Sequence, residues 1–103
     1  MSPNKADSLI PAAARTAADL TPAWGRFTAI TPQDAEFLSH FELAAGKTLL
    51  LDFELGAAAF ADVRARVCKE LRDPDGYYNY ELKFLDPAQR GLLKNALEKL
   101  PRD

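Results

Sequence analysis

Ala61-Asp-Val-Arg-Ala-Arg-Val-Cys68, Asp73-Pro-Asp-Gly76 and Tyr77-Tyr-Asn-Tyr-Glu-Leu-Lys-Phe84 follow one another closely in the chain, and together they decide the fold class. The first arm sets Val63, Ala65 and Val67 on one side and Asp62, Arg64 and Arg66 on the other, the two-residue period of a half-buried strand. In the third segment Tyr78, Tyr80, Leu82 and Phe84 alternate with Tyr77, Asn79, Glu81 and Lys83. Between the arms, Pro74 presets the φ wanted at the second turn position, and Gly76 tolerates the positive φ needed to leave the turn. Asp86-Pro-Ala-Gln89 then opens a helix as N-cap, Pro at N1 and Gln at N3, a capping box in outline. Its apolar stripe is Leu92, Leu93, Ala96, Leu97 and Leu100. Residues 58–100 therefore read as a hairpin closed by a helix.

Upstream, Lys47–Leu55 is a further strand, with Leu49, Leu51, Phe53 and Leu55 on one face and Thr48, Leu50, Asp52 and Glu54 on the other. Trp24–Ile30 also reads as a strand, although Trp24, Phe27 and Ile30 do not alternate strictly. Residues 31–46 admit two readings. Thr31-Pro32, Gly46 and the spacing of Phe37, Leu38, Phe41, Ala44 and Ala45 suit a helix. The alternative is a short strand over Ala35–Ser39, then a loop to the turn at Gly46. Ser8 is read as the cap of a short helix reaching Leu20, thin in apolar surface and formed on docking, with Pro11 in its first turn. The sum is a mainly β fold of four or five antiparallel strands, a small barrel with a C-terminal α-helix. Residues 1–22 are expected to form an N-terminal extension and 23–103 the barrel with its closing helix.

The 103 residues, 48% hydrophobic, suit one domain with one core. A net charge of −2 argues against a nucleic-acid binder and against attachment to an anionic membrane. One cysteine (Cys68) and one histidine (His40) leave little for a zinc site, so no metal or cofactor is expected. No stretch approaches a membrane span, and Pro11 and Arg15 interrupt the only signal-like segment. A cytoplasmic protein is the expectation.

Val-Arg-Ala-Arg-Val over 63–67, then Tyr-Glu-Leu-Lys-Phe-Leu-Asp-Pro over 80–87 with a terminal helix, resembles the closing half of a PilZ domain. Ala29-Ile-Thr-Pro-Gln-Asp34 stands where that family carries D/N-x-S-x-x-G, and Leu43–Phe53 resembles its glycine turn and long third strand. The resemblance covers residues 24–100 and favours a strand over Ala35–Ser39. It implies a receptor for cyclic di-GMP, held by an R-x-x-x-R motif ahead of the barrel and by the D/N-x-S-x-x-G turn. Arginines would clamp phosphates and stack on guanine, the Asp/Asn and Ser would read the base, and the Gly would let the backbone approach. Here Ala29 replaces the Asp/Asn, Thr31 the Ser and Asp34 the Gly, while Arg15 is the only arginine before Trp24. At about 1.5–3 kcal/mol per charged hydrogen bond, losing two arginines and gaining a carboxylate costs several kcal/mol of binding. Ligand binding is therefore expected to be weak or absent. The alternative is a receptor using rearranged residues, with Arg15 and Arg26 on the phosphates.

Among other candidates, Arg64, Arg66, Lys69 and Arg72 read as a solvated strand face, interrupted by Asp62 and Glu70. Cys68 has no neighbour that would make it a nucleophile. Trp24, Phe41 and Tyr77 are the candidate contacts to a protein partner, with core packing the competing role for each aromatic. No catalytic residues emerge, since no acid–base pair, activated nucleophile or phosphate loop stands out. The expectation is a non-enzymatic regulatory or adaptor domain with a protein partner.

Overall fold

The computed structural model describes residues 10–16, 22–72 and 75–100. Six strands, β1 (Ile10–Arg15), β2 (Ala23–Ile30), β3 (Asp34–Ser39), β4 (Thr48–Leu55), β5 (Ala58–Arg72) and β6 (Tyr78–Phe84), precede one helix, α1 (Pro87–Glu98). The strands close into an antiparallel barrel in the order β1-β2-β3-β6-β5-β4. The mainly β barrel with a C-terminal helix is thus the observed architecture.

The expected alternation holds on β4, β5 and β6. Leu49, Leu51, Leu55, Val63, Ala65, Val67, Tyr80, Leu82 and Phe84 are all buried, and Asp62, Arg64 and Arg66 face out. Phe27 meets Phe37 and Phe53 edge-on, at 5.8 and 5.0 Å between ring centroids, so three strands meet at one aromatic cluster. Gly76 has the anticipated positive φ, 89°; Asp73 and Pro74 of the same turn lie outside the described residues.

Three departures have physical causes. The helix read from Ser8 to Leu20 is not what forms over 10–15, where the chain is β1, paired with both β2 and β4; Ser8, Leu9 and residues 17–20 lie outside the described residues. Ala12 and Ala14 point inward and are buried, so their helix propensity yields to two ladders of backbone hydrogen bonds. The barrel wall therefore begins at Ile10, within the segment read as an extension. On β2, the register with β3 shifts between Phe27 and Ala29, making Thr28 a bulge. The extra residue explains why Phe27 and Ile30, three apart, both turn to the core.

The third departure is Gln89. Asp86 caps α1 as expected, its Oδ1 accepting from Ala88 N at 2.9 Å and from Gln89 N at 3.4 Å. The Gln89 side chain does not complete a capping box. It donates to Asp62 O (3.0 Å) and accepts from Arg64 N (2.9 Å), fastening the helix to β5. Leu93 and Ala96 are buried, Leu97 and Leu100 pack at the margin of the core, and Leu92, expected in the stripe, is 59% exposed.

Candidate functional site

Strand parity builds the site. On β2, Ala23 and Phe27 are buried while Trp24 and Arg26 face out, and Trp24 is 62% exposed. The register sets Trp24 beside Ala13 of β1, and Arg26 between Pro11 of β1 and Leu38 of β3. Trp24 and Pro11 form a low ridge between two open grooves. One, of about 270 Å³, lies over β2 and β3 and is lined by Arg26, Leu38, His40 and Tyr77. The other, of about 500 Å³, lies over β1 and β4 and is lined by Asp52, Glu54 and Phe60.

The rims are held from below. The His40 and Tyr77 rings lie 4.0 Å apart with a 33° tilt. Ser39, 2% exposed, donates its hydroxyl to Trp24 O at 2.8 Å and accepts from Phe41 N at 3.1 Å. Tyr80 donates to Phe41 O at 2.7 Å and accepts from Leu43 N at 2.6 Å. Burial pushes the Tyr80 phenol up to about 12, which keeps that bridge protonated. These bonds fix the backbone that presents Phe41, itself 50% exposed. The side chains of Arg26 and Glu54, on either side of the ridge, have no hydrogen-bond or ion-pair partner among the described residues. The surface offers aromatic planes for stacking, one uncommitted guanidinium and one uncommitted carboxylate, which is chemistry for recognition.

The structure disperses the positions compared with the cyclic di-GMP motifs. Arg15, at the end of β1, hydrogen-bonds Asp62 and lies 3.4 Å from Asp52; the Asp62 bond comes first in raising its pKa. Asp62 adopts φ 56° in a bulge where it and Ala61 oppose Asp52, and its N–H donates to Asp52 Oδ1 at 2.9 Å. Thr31 and Asp34 close the β2–β3 turn on each other. The Thr31 hydroxyl lies 2.8 Å from Asp34 Oδ1 and accepts from Gln33 N and Asp34 N, each at 3.1 Å. Ala29 pairs with Glu36 beside the Thr28 bulge. Arg15 and this turn sit at opposite ends of β2, eight residues long, or roughly 26 Å at the rise of a strand. Of the five positions, only Arg26 belongs to the grooved face.

Of the proposed partner contacts, Trp24 and Tyr77 share a groove, and Phe41 follows through the Ser39 bridge. The sequence reading considered His40 only as a scarce zinc ligand, and named Pro11 for a helix turn and Glu54 for a strand face, neither as a contact. Their signal is register: Pro11 and Glu54 share outward parity with Arg26, and His40 and Tyr77 flank the ends of paired strands. Cys68 and Arg64, Arg66 and Lys69 are exposed on β5, away from this face. Among the described residues, no three metal-ligating side chains cluster, and no helix is long and apolar enough to cross a membrane. In comparisons with known proteins, no family model and no curated protein matches this chain.

Proposed function

We propose that this chain is a PilZ-like regulatory or adaptor domain, non-catalytic and cytoplasmic. It acts through protein–protein contacts in bacterial signalling that governs motility, pili or surface attachment, and its affinity for cyclic di-GMP is weak or nil. The observation that carries the reading is Trp24, which stands 62% exposed on a wall whose inner face is already packed. A large aromatic held out in water between two grooves is the usual anchor of a protein contact. The weak-ligand half rests on the substituted motif positions: Arg15 is engaged by Asp52 and Asp62, and Thr31 and Asp34 by each other.

Calorimetric titration with cyclic di-GMP tests it. A flat trace to high micromolar ligand is the expected result. Saturable heat with a defined stoichiometry overturns the reading in favour of the receptor alternative. The uncommitted Arg26 is what favours that alternative, and Arg26→Ala would then abolish the heat.

A further inference from the structure

The charges on the Trp24 face make it complementary to itself. Three outward residues stand in one row across neighbouring strands. Pro11 of β1 pairs with Arg26 of β2. The β1–β4 ladder, continued one residue beyond the pairing of Ala12 with Phe53, brings Glu54 level with Pro11 on its other flank. All three residues are exposed, and the two charged side chains have no partner among the described residues. A two-fold axis standing on Pro11 exchanges the flanks. It sets Arg26 of each copy opposite Glu54 of the other, so the same two residues make both ion pairs, as an isologous contact requires. Strand order and register alone dictate this exchange, so it holds on a curved wall as on a flat one.

The same axis accounts for the tryptophan. Trp24 lies two residues from Arg26 along β2, in the row of Ala13 and Asp52. Rotation about Pro11 carries it past Glu54 of the other copy, towards Gly56 at the end of β4. The larger groove, about 500 Å³, lies open there and is lined by Gly56, Ala59 and Phe60. Each copy thus offers an exposed indole and a recess beside small residues to take it. We propose that a second copy of this chain docks on this face about a two-fold axis through Pro11. Arg26 and Glu54 pair reciprocally, and each Trp24 enters the larger groove of the other copy. The proposal rests on the reading of the Trp24 face as a protein-contact surface and names the partner. The closed barrel leaves no edge to extend, so the copies meet through side chains. Contact confined to β4, β1 and β2 of a convex wall belongs to the small class of interfaces, below about 1,200 Å², so the dimer is weak and forms with concentration.

Sedimentation equilibrium of the full chain, from micromolar to millimolar concentration, tests it. The expected result is a mass that rises from monomer towards dimer. Emission from Trp24, the only tryptophan, should change over the same range. Trp24→Ala should weaken association by roughly thirtyfold or more, as for an aromatic anchor. Arg26→Glu and Glu54→Arg should each weaken it roughly tenfold or more, because two attractions become two repulsions. An equimolar mixture of those two variants should recover the parent's association, since each supplies the charges that the other lacks. A monomer at every concentration overturns the proposal. So does association that Trp24→Ala or either charge variant leaves unchanged, or that the mixture does not recover. The cyclic di-GMP titration is independent. A monomer with a flat trace there removes only the second copy and leaves the surface to a different protein, whereas saturable heat removes the function from which it was argued.

Discussion

The β4–β5–β6 side of the barrel and the β1–β2 side are built from different residues. The first buries Leu49, Leu51, Val63, Val67, Tyr80 and Leu82; the second buries Ala12, Ala14 and Ala23, with Phe27 as its one fully buried large side chain. Gly25 marks the extreme. A Cβ there would lie 2.4 Å from Leu38 O and 2.7 Å from Phe37 Cζ, so the Phe37 ring occupies the space a side chain would need. One side supplies the volume of the core, and the other is thin so that this volume fits. The thin side's largest residue, Trp24, is accordingly on its outer face. Buried side-chain volume is concentrated on one side, and the exposed tryptophan of the proposed partner surface stands on the other.

The largest test of that division is in the thick side. Leu82→Ala removes a fully buried side chain, and chemical denaturation should show a loss of about 2–5 kcal/mol. A loss below ~1 kcal/mol would mean that the core is not centred on these strands. Gly25→Ala probes the thin side by addition instead of deletion. It should cost about 1–3 kcal/mol in the same assay, the range for overpacking. The test is sharpest when the smaller change hurts as much as many deletions do.

The smallest effect is expected at the connection between β3 and β4, which Tyr80 of the thick side holds. Tyr80→Phe removes the bridge to Phe41 O and Leu43 N and should cost about 1–2 kcal/mol near neutral pH. Its pH dependence separates it from a packing effect. With the folded-state phenol at about 12 and the unfolded one near 10, the folded chain holds its proton longer. This contribution is full below pH ~10 and is lost as pH rises towards ~12. Denaturation midpoints of the parent should therefore fall through that window, and the component due to Tyr80 should be missing from Tyr80→Phe.

The thick side was legible because its strands obey a period of two over many residues, and burial enforces that period. The C-terminal helix was legible from its cap and stripe, though not the use of Gln89, whose partners come from β5. The thin side was obscure for the same reason that it is thin. Alanines at 12–14 carry no strand preference, Pro11 suits a first helical turn, and only pairing with β2 and β4 makes the segment a strand. The Thr28 bulge erased the alternation of β2, which hid the outward turn of Trp24. Trp24 and Tyr77 could be named from chemistry alone. Their convergence with Pro11, Arg26 and His40 depends on registers between strands distant in sequence, which no local pattern encodes.

Closure of the wall also sets the order in which the molecule can assemble. Arg15 meets Asp62 across 47 positions of chain, and Tyr80 reaches Phe41 across 39. The β1–β4 and β3–β6 seams lack the short turn from which a hairpin zips, so each must be sewn by diffusion of pre-formed pieces, at the entropic cost of a long loop. Such non-local pairing belongs to the slow end of small-domain folding. As the chain is synthesised, β1, β2 and β3 exist first as an open ribbon with two bare edges. They remain exposed to mispairing until β4 arrives on one side and β6 on the other.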